Sequence, residues 1–273
     1  MLILAATPIG NLADASKRLI EALTEATVIA AEDTRMVQKL ALGLGVQLKA
    51  RLISLNDHNE RDKVEQLVAV AESETLLLVS DAGMPTISDP GFILVRAMVK
   101  AGVEVSIIPG PSAVLAGLAV SGLPTDRFSF EGFIPRKESE RIEYFKALVN
   151  ETRTMVFFET ANRLAESLVS AREILGDRQA SVSRELTKKF EETIRGSLAE
   201  LIDWASKELK GEIVLVISGQ TEKLQPDLKD LIEIVEALKG SGKSLKDAVG
   251  VVAKLAGVSK SELYDQTIAA RAE

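Results

Sequence analysis

The chain has 273 residues, of which 46% are apolar and 27% charged, and its formal net charge is −7. This balance predicts a globular protein with room for two α/β domains, and the negative charge argues against coating nucleic acid by bulk electrostatics. The lack of cysteine excludes disulfides and thiolate nucleophiles, and a single histidine excludes multi-histidine metal sites. Carboxylate-bound magnesium stays open but has no signature in the sequence, so no metal site is assigned.

No apolar run approaches the roughly 20 residues that a membrane helix requires. The first residues, MLILAATPIGN, carry no basic leader or cleavage site. We therefore expect no export signal and a cytoplasmic location.

The first part of the chain alternates between strand and helix patterns. The predicted strands are Leu2–Ala6, Val28–Ala31, Thr75–Ser80 and Val103–Ile108, and the predicted helices are Asp14–Ala26, Gly91–Ala101 and Pro111–Val120. Such βαβ crossovers imply a mostly parallel sheet. The segment SGLPTDR (Ser121–Arg127) marks the first domain boundary.

The second part continues with further strands and helices. The predicted strands are Phe128–Phe133, Thr154–Glu159, Ala180–Thr187, Phe190–Gly196 and Glu212–Ser218, and the predicted helices are Lys137–Val149, Leu164–Leu175 and Leu198–Leu209. The third and fourth of these strands are predicted to form a hairpin, separated by Lys188 and Lys189.

A polar linker, Gly219–Asp227, precedes a small helical unit. Its predicted helices are Asp227–Leu238, Leu245–Leu255 and Lys260–Ala270, and the last two have the spacing of a helix-turn-helix. The tail from Gln225 holds 7 Lys or Arg against 8 Asp or Glu and is not basic. A helical pair that packs on the body, or on rRNA through a few contacts, is therefore as good an interpretation as insertion into a nucleic-acid groove. The predicted domains are residues 1–121, 122–220 and 227–273.

Three glycine- and proline-rich loops follow predicted strands, namely Thr7–Asn11, Ser80–Gly91 and Pro109–Ala113. In open α/β sheets ligands bind beyond the carboxyl ends of the strands, so three such loops at one edge predict a cofactor cleft. Neither G-x-G-x-x-G nor a P-loop occurs, which argues against NAD and P-loop nucleotides.

Several motifs resemble one family in order and spacing. They are TPIGNL (Thr7–Leu12), EDTR (Glu32–Arg35), DHNE (Asp57–Glu60), SDAGMPTISDPG (Ser80–Gly91), PGPSA (Pro109–Ala113), SGLPTDRF (Ser121–Phe128), GFIPRK (Gly132–Lys137) and RELTKKFEE (Arg184–Glu192). The chain is similar here to the small-subunit ribosomal RNA (cytidine-2′-O)-methyltransferases, a tetrapyrrole-methylase-like branch of S-adenosylmethionine enzymes.

The resemblance implies two α/β domains of the tetrapyrrole methylase type, with the cofactor cleft between them and a C-terminal helical extension. It implies S-adenosyl-L-methionine as the cofactor. The implied target is a cytidine ribose in the decoding region of 16S rRNA, and the substrate is either naked rRNA or the assembled 30S subunit. The resemblance also implies a homodimer. The cofactor-binding residues that it suggests are Asp81, Ala82, Gly83, Ser112, Ala113, Phe158, Glu159, Leu186, Glu212 and Ile213. Met84 stands where the family usually has threonine, and Ala161-Asn162 replaces a Pro-His pair.

Methylation of a ribose hydroxyl requires a group that accepts or steers its proton. The candidates are Glu32, Asp33, Glu185 and Lys188, and the sequence does not choose among them. For the segment Glu32–Arg35, a structural salt bridge at a strand end is an equally good interpretation.

RNA contact is predicted for basic and polar residues near the same cleft. They are Arg35, His58, Asn59, Arg136, Lys137, Arg184 and Lys189, and Arg141 joins them if its loop folds over the cleft. Charged loop tips are usually only solvated, and it is the family resemblance that favours function here.

Two other functions fit parts of the sequence. A methyltransferase of the same fold acting on a tetrapyrrole carbon would lack the TPIGNL and RELTK motifs and the helical tail. A non-catalytic nucleic-acid-binding protein using the tail would leave the cofactor cleft unexplained, and cofactor binding distinguishes that class from an enzyme.

Overall fold

Five short strands form the first sheet of the computed structural model, which describes residues 1–207, 209–220 and 228–271. The strands are β1 (Leu2–Ala5), β2 (Val28–Ala31), β3 (Arg51–Ser54), β4 (Leu76–Val79) and β5 (Val105–Ile108). They pair in the order β3-β2-β4-β1-β5, and every pair is parallel. All their carboxyl ends therefore meet at one edge.

Four helices cover this sheet, namely α1 (Lys17–Glu25), α2 (Thr34–Gly43), α3 (Glu60–Ser73) and α4 (Phe92–Lys100). Alternate residues of β4 face opposite sides, as the period of a strand requires. Leu76 and Leu78 pack in the core that includes α3 and α4, whereas Leu77 and Val79 pack in the core that includes α1 and α2. The result is a three-layer α/β/α arrangement.

The second sheet is mixed. Its strands are β6 (Phe128–Phe133), β7 (Thr154–Thr160), β8 (Gln179–Arg184), β9 (Glu192–Ser197) and β10 (Glu212–Ile217), in the order β6-β7-β10-β8-β9. Only β6 and β7 pair in parallel. Helices α6 (Glu138–Ala147), α7 (Leu164–Leu175) and α8 (Leu198–Ala205) contribute to the core on one face of this sheet.

Helix α5 (Ala113–Ser121) joins the two sheets, because it follows β5 in the chain but packs on the open face of the second sheet. Val114 and Leu118 of the helix share a core with Val156 and Val214 of the sheet. Gly117 lies so close that a Cβ there would be 2.5 Å from Cγ1 of Val214. Glycine at this position allows the backbone of the helix to approach the sheet.

The contacts divide the chain into two compact units, Met1–Gly219 and Gln220–Glu273. Within the second unit, α9 (Leu228–Gly240), α10 (Leu245–Ala256) and α11 (Lys260–Ala269) enclose a small core of their own. Gly257 ends α10 in the left-handed region, with φ of +68°. None of the described helices has the length and apolar character needed to cross a membrane.

The predicted α/β fold class is confirmed, and most predicted elements occur within a few residues of their expected bounds. The sequence prediction missed α2, β3 and α3. The first predicted helix begins later than expected, at Lys17, because Ser16 caps it by accepting a hydrogen bond from the amide of Leu19.

Some other predicted bounds were wrong, and some lie outside the residues that the structure describes. The hairpin of β8 and β9 exists, but its loop spans Glu185–Glu191 and is longer than the predicted two lysines. Helix α8 ends at Ala205 and not at Leu209. Most of the predicted linker, residues 221–227, lies outside the described residues. The division of the first unit at residue 121 stays a prediction.

We predict that Gly117→Ala destabilises the protein, since its Cβ would lie 2.5 Å from Cγ1 and 2.9 Å from Cβ of Val214. Relieving that overlap should cost about 1–3 kcal/mol in the free energy of unfolding, measured by urea denaturation. Gly240→Ala is the matched control, because a Cβ at Gly240 meets nothing within 4 Å. Equal stability of the two variants would contradict this account.

Candidate active site

A cavity of about 440 Å³ opens at the carboxyl edge of the first sheet and reaches the second sheet. Its walls include the loops that follow β2, β4 and β5, the first turn of α5, and the facing ends of β7 and β10. All ten residues that the resemblance suggested for the cofactor line this cavity, namely Asp81, Ala82, Gly83, Ser112, Ala113, Phe158, Glu159, Leu186, Glu212 and Ile213. Their binding role stays a prediction.

The loop after β4 is fixed against the loop after β1. Thr7 and Gly83 exchange two backbone hydrogen bonds, of 2.8 and 3.1 Å, and the hydroxyl of Thr7 donates to the carbonyl of Ser80. Gly83 has φ of +84°, and a Cβ there would lie 3.3 Å from Cγ2 of Ile9. Both features favour glycine where the loop turns beside the cavity.

The first turn of α5 forms another wall. Ser112 is the N-cap residue, and its side chain makes no capping hydrogen bond. The first bond of the helix runs from the amide of Ala116 to the carbonyl of Ser112. The amides before Ala116 therefore have no partner within the helix, and such a helix start attracts negatively charged groups.

The second sheet supplies an apolar wall around Phe158. Its ring packs edge-on against Phe130 at 4.9 Å and Phe133 at 5.4 Å between centroids. Leu186 and Ile213 line the same cavity and are themselves buried. Flat apolar surfaces of this kind suit an aromatic ring system.

Glu159, at the end of the same strand, is a buried carboxylate with a complete set of partners. Its Oε2 accepts from the hydroxyl of Ser167 at 2.6 Å and pairs with Arg163 at 3.2 Å, and its Oε1 accepts from the amide of Thr160 at 2.7 Å. This network fixes the backbone that leaves β7 at the cavity edge.

The loop after β8 is held at the rim of the cavity by Lys188. Its ammonium group lies 2.9 Å from Oε1 of Glu185 and 2.8 Å from Oε2 of Glu212. The hydrogen bond that Lys188 donates to Glu185 lowers the pKa of the Glu185 carboxyl. Glu185 and Thr187 both have positive φ, of 51° and 66°. A Cβ on Gly10 would lie 2.4 Å from Cγ of Lys188, so this loop touches the loop after β1.

Carboxylates concentrate on the first-sheet side of the cavity. Glu32, Asp57 and Asp81 follow β2, β3 and β4, which are adjacent in the sheet, and Asp89 completes the group from the loop after β4. Burial, with Asp81 and Asp57 nearby, raises the pKa of Glu32. Burial also raises the pKa of Asp81. The hydrogen bond that the backbone amide of Asp33 donates to the Asp81 carboxylate acts in the opposite direction.

Asp89 shows the largest such effect. Burial, together with the charges of Glu32 and Asp81, raises the pKa of Asp89 to about 7, although a hydrogen bond with Ser80 acts in the opposite direction. Sequence reasoning noted its motif, SDAGMPTISDPG, but did not select this residue. The feature that could have identified Asp89 is that the loop Ser80–Gly91, the longest of the three loops predicted to form the cleft, contains a second acidic residue besides Asp81.

Of the four proton-handling candidates, only Glu32 lines the cavity. Asp33 is the N-cap of α2, and its carboxylate is hydrogen-bonded by Arg35, which lowers the pKa of Asp33 to about 2. Glu185 and Lys188 pair with each other at the rim. For the segment Glu32–Arg35, a structural salt bridge was one of the two interpretations. It applies to Asp33 and Arg35, which pair with each other, and not to Glu32, which lines the cavity.

The RNA candidates lie outside the cavity lining. His58, Arg136, Lys137 and Lys189 are exposed, and Lys189 lies 5.5 Å from the ring of Phe190. Their role in RNA contact stays a prediction.

Other candidates in this set have structural partners. Asn59 accepts from the amide of Asn56 at 2.9 Å, and Arg184 pairs with Glu192 at 2.7 Å. The expectation for Arg141 was wrong. Its side chain is 5% exposed and donates to Ser170, because α6 packs this face on α7.

Residues 1–202 match the tetrapyrrole (corrin/porphyrin) methylases. The chain belongs to this family. Across its whole length it is 47% identical to "Ribosomal RNA small subunit methyltransferase I" of Mycobacterium tuberculosis, covering 96% of that protein. The protein of the same name from Escherichia coli O157:H7 is 42% identical over 94% of this chain and 91% of its own. The chain therefore belongs to the ribosomal RNA small subunit methyltransferase I group of the tetrapyrrole methylases.

Solved structures share the tetrapyrrole methylase fold at low identity. Diphthine synthase superposes with a TM-score of 0.63 at 18% identity, covering 81% of this chain and 90% of that chain. A uroporphyrin-III C-methyltransferase from Thermus thermophilus, complexed with S-adenyl homocysteine, gives a TM-score of 0.53 at 17% identity, covering 80% of this chain and 96% of that one. These likenesses establish the fold.

We predict that Glu159→Gln destabilises this tetrapyrrole methylase by about 3 kcal/mol, since the change removes the charge that faces the largely buried Arg163. Urea denaturation measures the loss. Glu173→Gln, at an exposed position of the same helix as Ser167, is the control and should change stability by less than about 0.5 kcal/mol. Equal stability of both variants would show that the Glu159 network contributes nothing.

Proposed function

We propose that this protein transfers a methyl group from S-adenosyl-L-methionine to the 2′-oxygen of a cytidine ribose in 16S rRNA. The observation that carries the proposal is the cavity itself, where all ten residues suggested by the family motifs meet. Among the described residues, carboxylates without an ion pair line its first-sheet side, whereas the two carboxylates of the second sheet, Glu159 and Glu212, are paired with cations beside an apolar surface. The names of the full-length relatives support ribosomal RNA of the small subunit as the substrate.

The residues of the cavity fit the proposed cofactor. Its volume, about 440 Å³, lies in the range of roughly 300–1,000 Å³ usual for cofactor sites. The uncapped first turn of α5 suits the cofactor carboxylate, and Asp81 suits its ammonium group or a ribose hydroxyl. Phe158, Leu186 and Ile213 suit the adenine ring.

When bound, this cofactor supplies a methyl group that its sulfonium has already activated. The protein's task is therefore alignment and removal of water, which contribute roughly 7–11 kcal/mol in favourable cases. Gly83 and Ser112 on one side and Ile213 on the other shape the space that would hold the cofactor.

The direct test is methyl transfer from labelled S-adenosylmethionine to 30S subunits and free 16S rRNA that lack the modification, followed by mapping of the label. We expect label on the ribose of one cytidine. Cofactor binding without transfer to either RNA would overturn the rRNA substrate and favour a small-molecule methylase of the same fold.

Surface lysine and arginine residues should bind the RNA backbone. We predict that the double variant Arg136→Ala with Lys189→Ala weakens binding of the substrate RNA about tenfold and makes its salt dependence shallower, by roughly one unit of slope per lost phosphate contact. Both side chains are exposed, so affinity for the cofactor should stay unchanged in calorimetry.

Lys100→Ala is the matched control for that double variant. Lys100 ends α4 and is also exposed, but the end of that helix lies at the sheet edge opposite the cavity. If the control and the double variant bind RNA equally well, Arg136 and Lys189 do not contact it.

The homodimer, the cytoplasmic location and a role for the helical extension in RNA docking remain parts of this proposal. Light scattering of the purified protein tests whether it is a homodimer. RNA binding by a variant lacking residues 220–273 tests whether the helical extension docks RNA.

A further inference from the structure

Asp89 occupies a distinctive place in the wall of the cavity. It lies in the loop between β4 and α4, next to Ser88, which also lines the cavity. Ser88 has φ of 61° and Thr86 has φ of 76°, and neither is glycine. Such strained backbone persists only where the surrounding structure enforces it, and it concentrates at functional sites. Asp89 directly follows this strained segment and lines the cavity with it.

The other carboxylates of the cavity are held by hydrogen-bond donors. Asp81 accepts the amide of Asp33, Glu159 pairs with Arg163, and Glu212 pairs with Lys188. Within the described residues, only Asp89 and Glu32 line the cavity without an ion pair or a backbone donor. A group that must take up a proton needs a carboxylate oxygen that is not already committed to a cation.

We propose that Asp89 accepts the proton of the attacking ribose 2′-hydroxyl, an inference that rests on the proposed function. The 2′-oxygen loses its proton to the carboxylate of Asp89 and forms a bond to the methyl carbon. The bond between that carbon and the sulfonium sulfur breaks, and its electron pair stays on sulfur. Asp89 then returns the proton to solvent.

The surroundings of Asp89 suit this role. Its neighbours Glu32, Asp81 and Asp57 are all acidic, and Ser80 is its hydrogen-bond partner. Burial and these charges raise the pKa of Asp89 to about 7. A base works best when its pKa lies near the working pH, since it is then both ionised and strong enough to take the proton.

Glu32 acts through Asp89 in this arrangement and is a positioning residue. Its negative charge contributes to the raised pKa of Asp89. Removing the charge by Glu32→Gln should lower the pKa of Asp89, so the acidic limb of the rate profile moves to lower pH. A merely structural Glu32 would leave that limb in place.

The test measures single-turnover methyl transfer to 30S subunits between pH 5.5 and 9. In the unaltered protein the rate should rise with pH through an apparent pKa near 7. Asp89→Asn should lower the rate constant by about 10²–10⁴ and abolish that rise, with cofactor affinity in calorimetry changed less than about threefold. Asp203→Asn, at an exposed position on α8, is the control and should behave as the unaltered protein.

A readout without cofactor or RNA checks the fold and the ionisation. Because the pKa of the Asp89 carboxyl is higher in the folded than in the unfolded state, its ionisation destabilises the fold as pH rises through about 7. Asp89→Asn removes that effect, so the variant should melt at a higher temperature than the unaltered protein at pH 8. At pH 5 the two melting temperatures should approach each other.

Transfer by Asp89→Asn within about threefold of the unaltered rate, with the pH dependence retained, would overturn the role of Asp89. Loss of activity together with a lower melting temperature at pH 8 would also overturn it, since the residue would then be structural. Failure of the unaltered protein to methylate 30S subunits would instead refute the proposed function itself.

Discussion

The close packing of α5 on the second sheet is the constraint on which the active-site arrangement depends. Gly117 lies against Val214, and Val114 and Leu118 fill the space beside it. Because α5 begins directly after β5, this contact ties the carboxyl edge of the first sheet to the inner face of the second. The cavity exists where these two surfaces meet, and a bulkier residue at Gly117 would separate them.

Each sheet brings a different chemistry to the cavity. The first is fully parallel, so the loops after adjacent strands place several carboxylates together at one edge. The second contributes the apolar residues Phe158, Leu186 and Ile213, and its two carboxylates, Glu159 and Glu212, are paired with Arg163 and Lys188. A cationic group with an aromatic ring attached is complementary to such a pair of walls, and removal of water between them strengthens every charge interaction inside.

Sequence patterns predicted the apolar, buried strands such as β4 well, because four consecutive buried residues leave a clear signal. They missed β3, an edge strand whose residues are exposed or half-buried. The ten residues at the cavity were found through motifs. Asp89 was not selected, because its proximity to Glu32 follows from the pairing of β2 with β4, which no local pattern encodes. Burial of Arg141 likewise follows from helix packing.

The path of α5 also bears on the order in which the chain is synthesised. The first sheet is complete once β5 has left the ribosome, but β10, the strand that carries Val214, follows much later. Until β7 and then β10 have followed, Val114 and Leu118 lack Val156 and Val214, their apolar partners on the second sheet. The nascent chain therefore carries a transiently exposed apolar helix face, and premature termination in this interval would yield an aggregation-prone fragment.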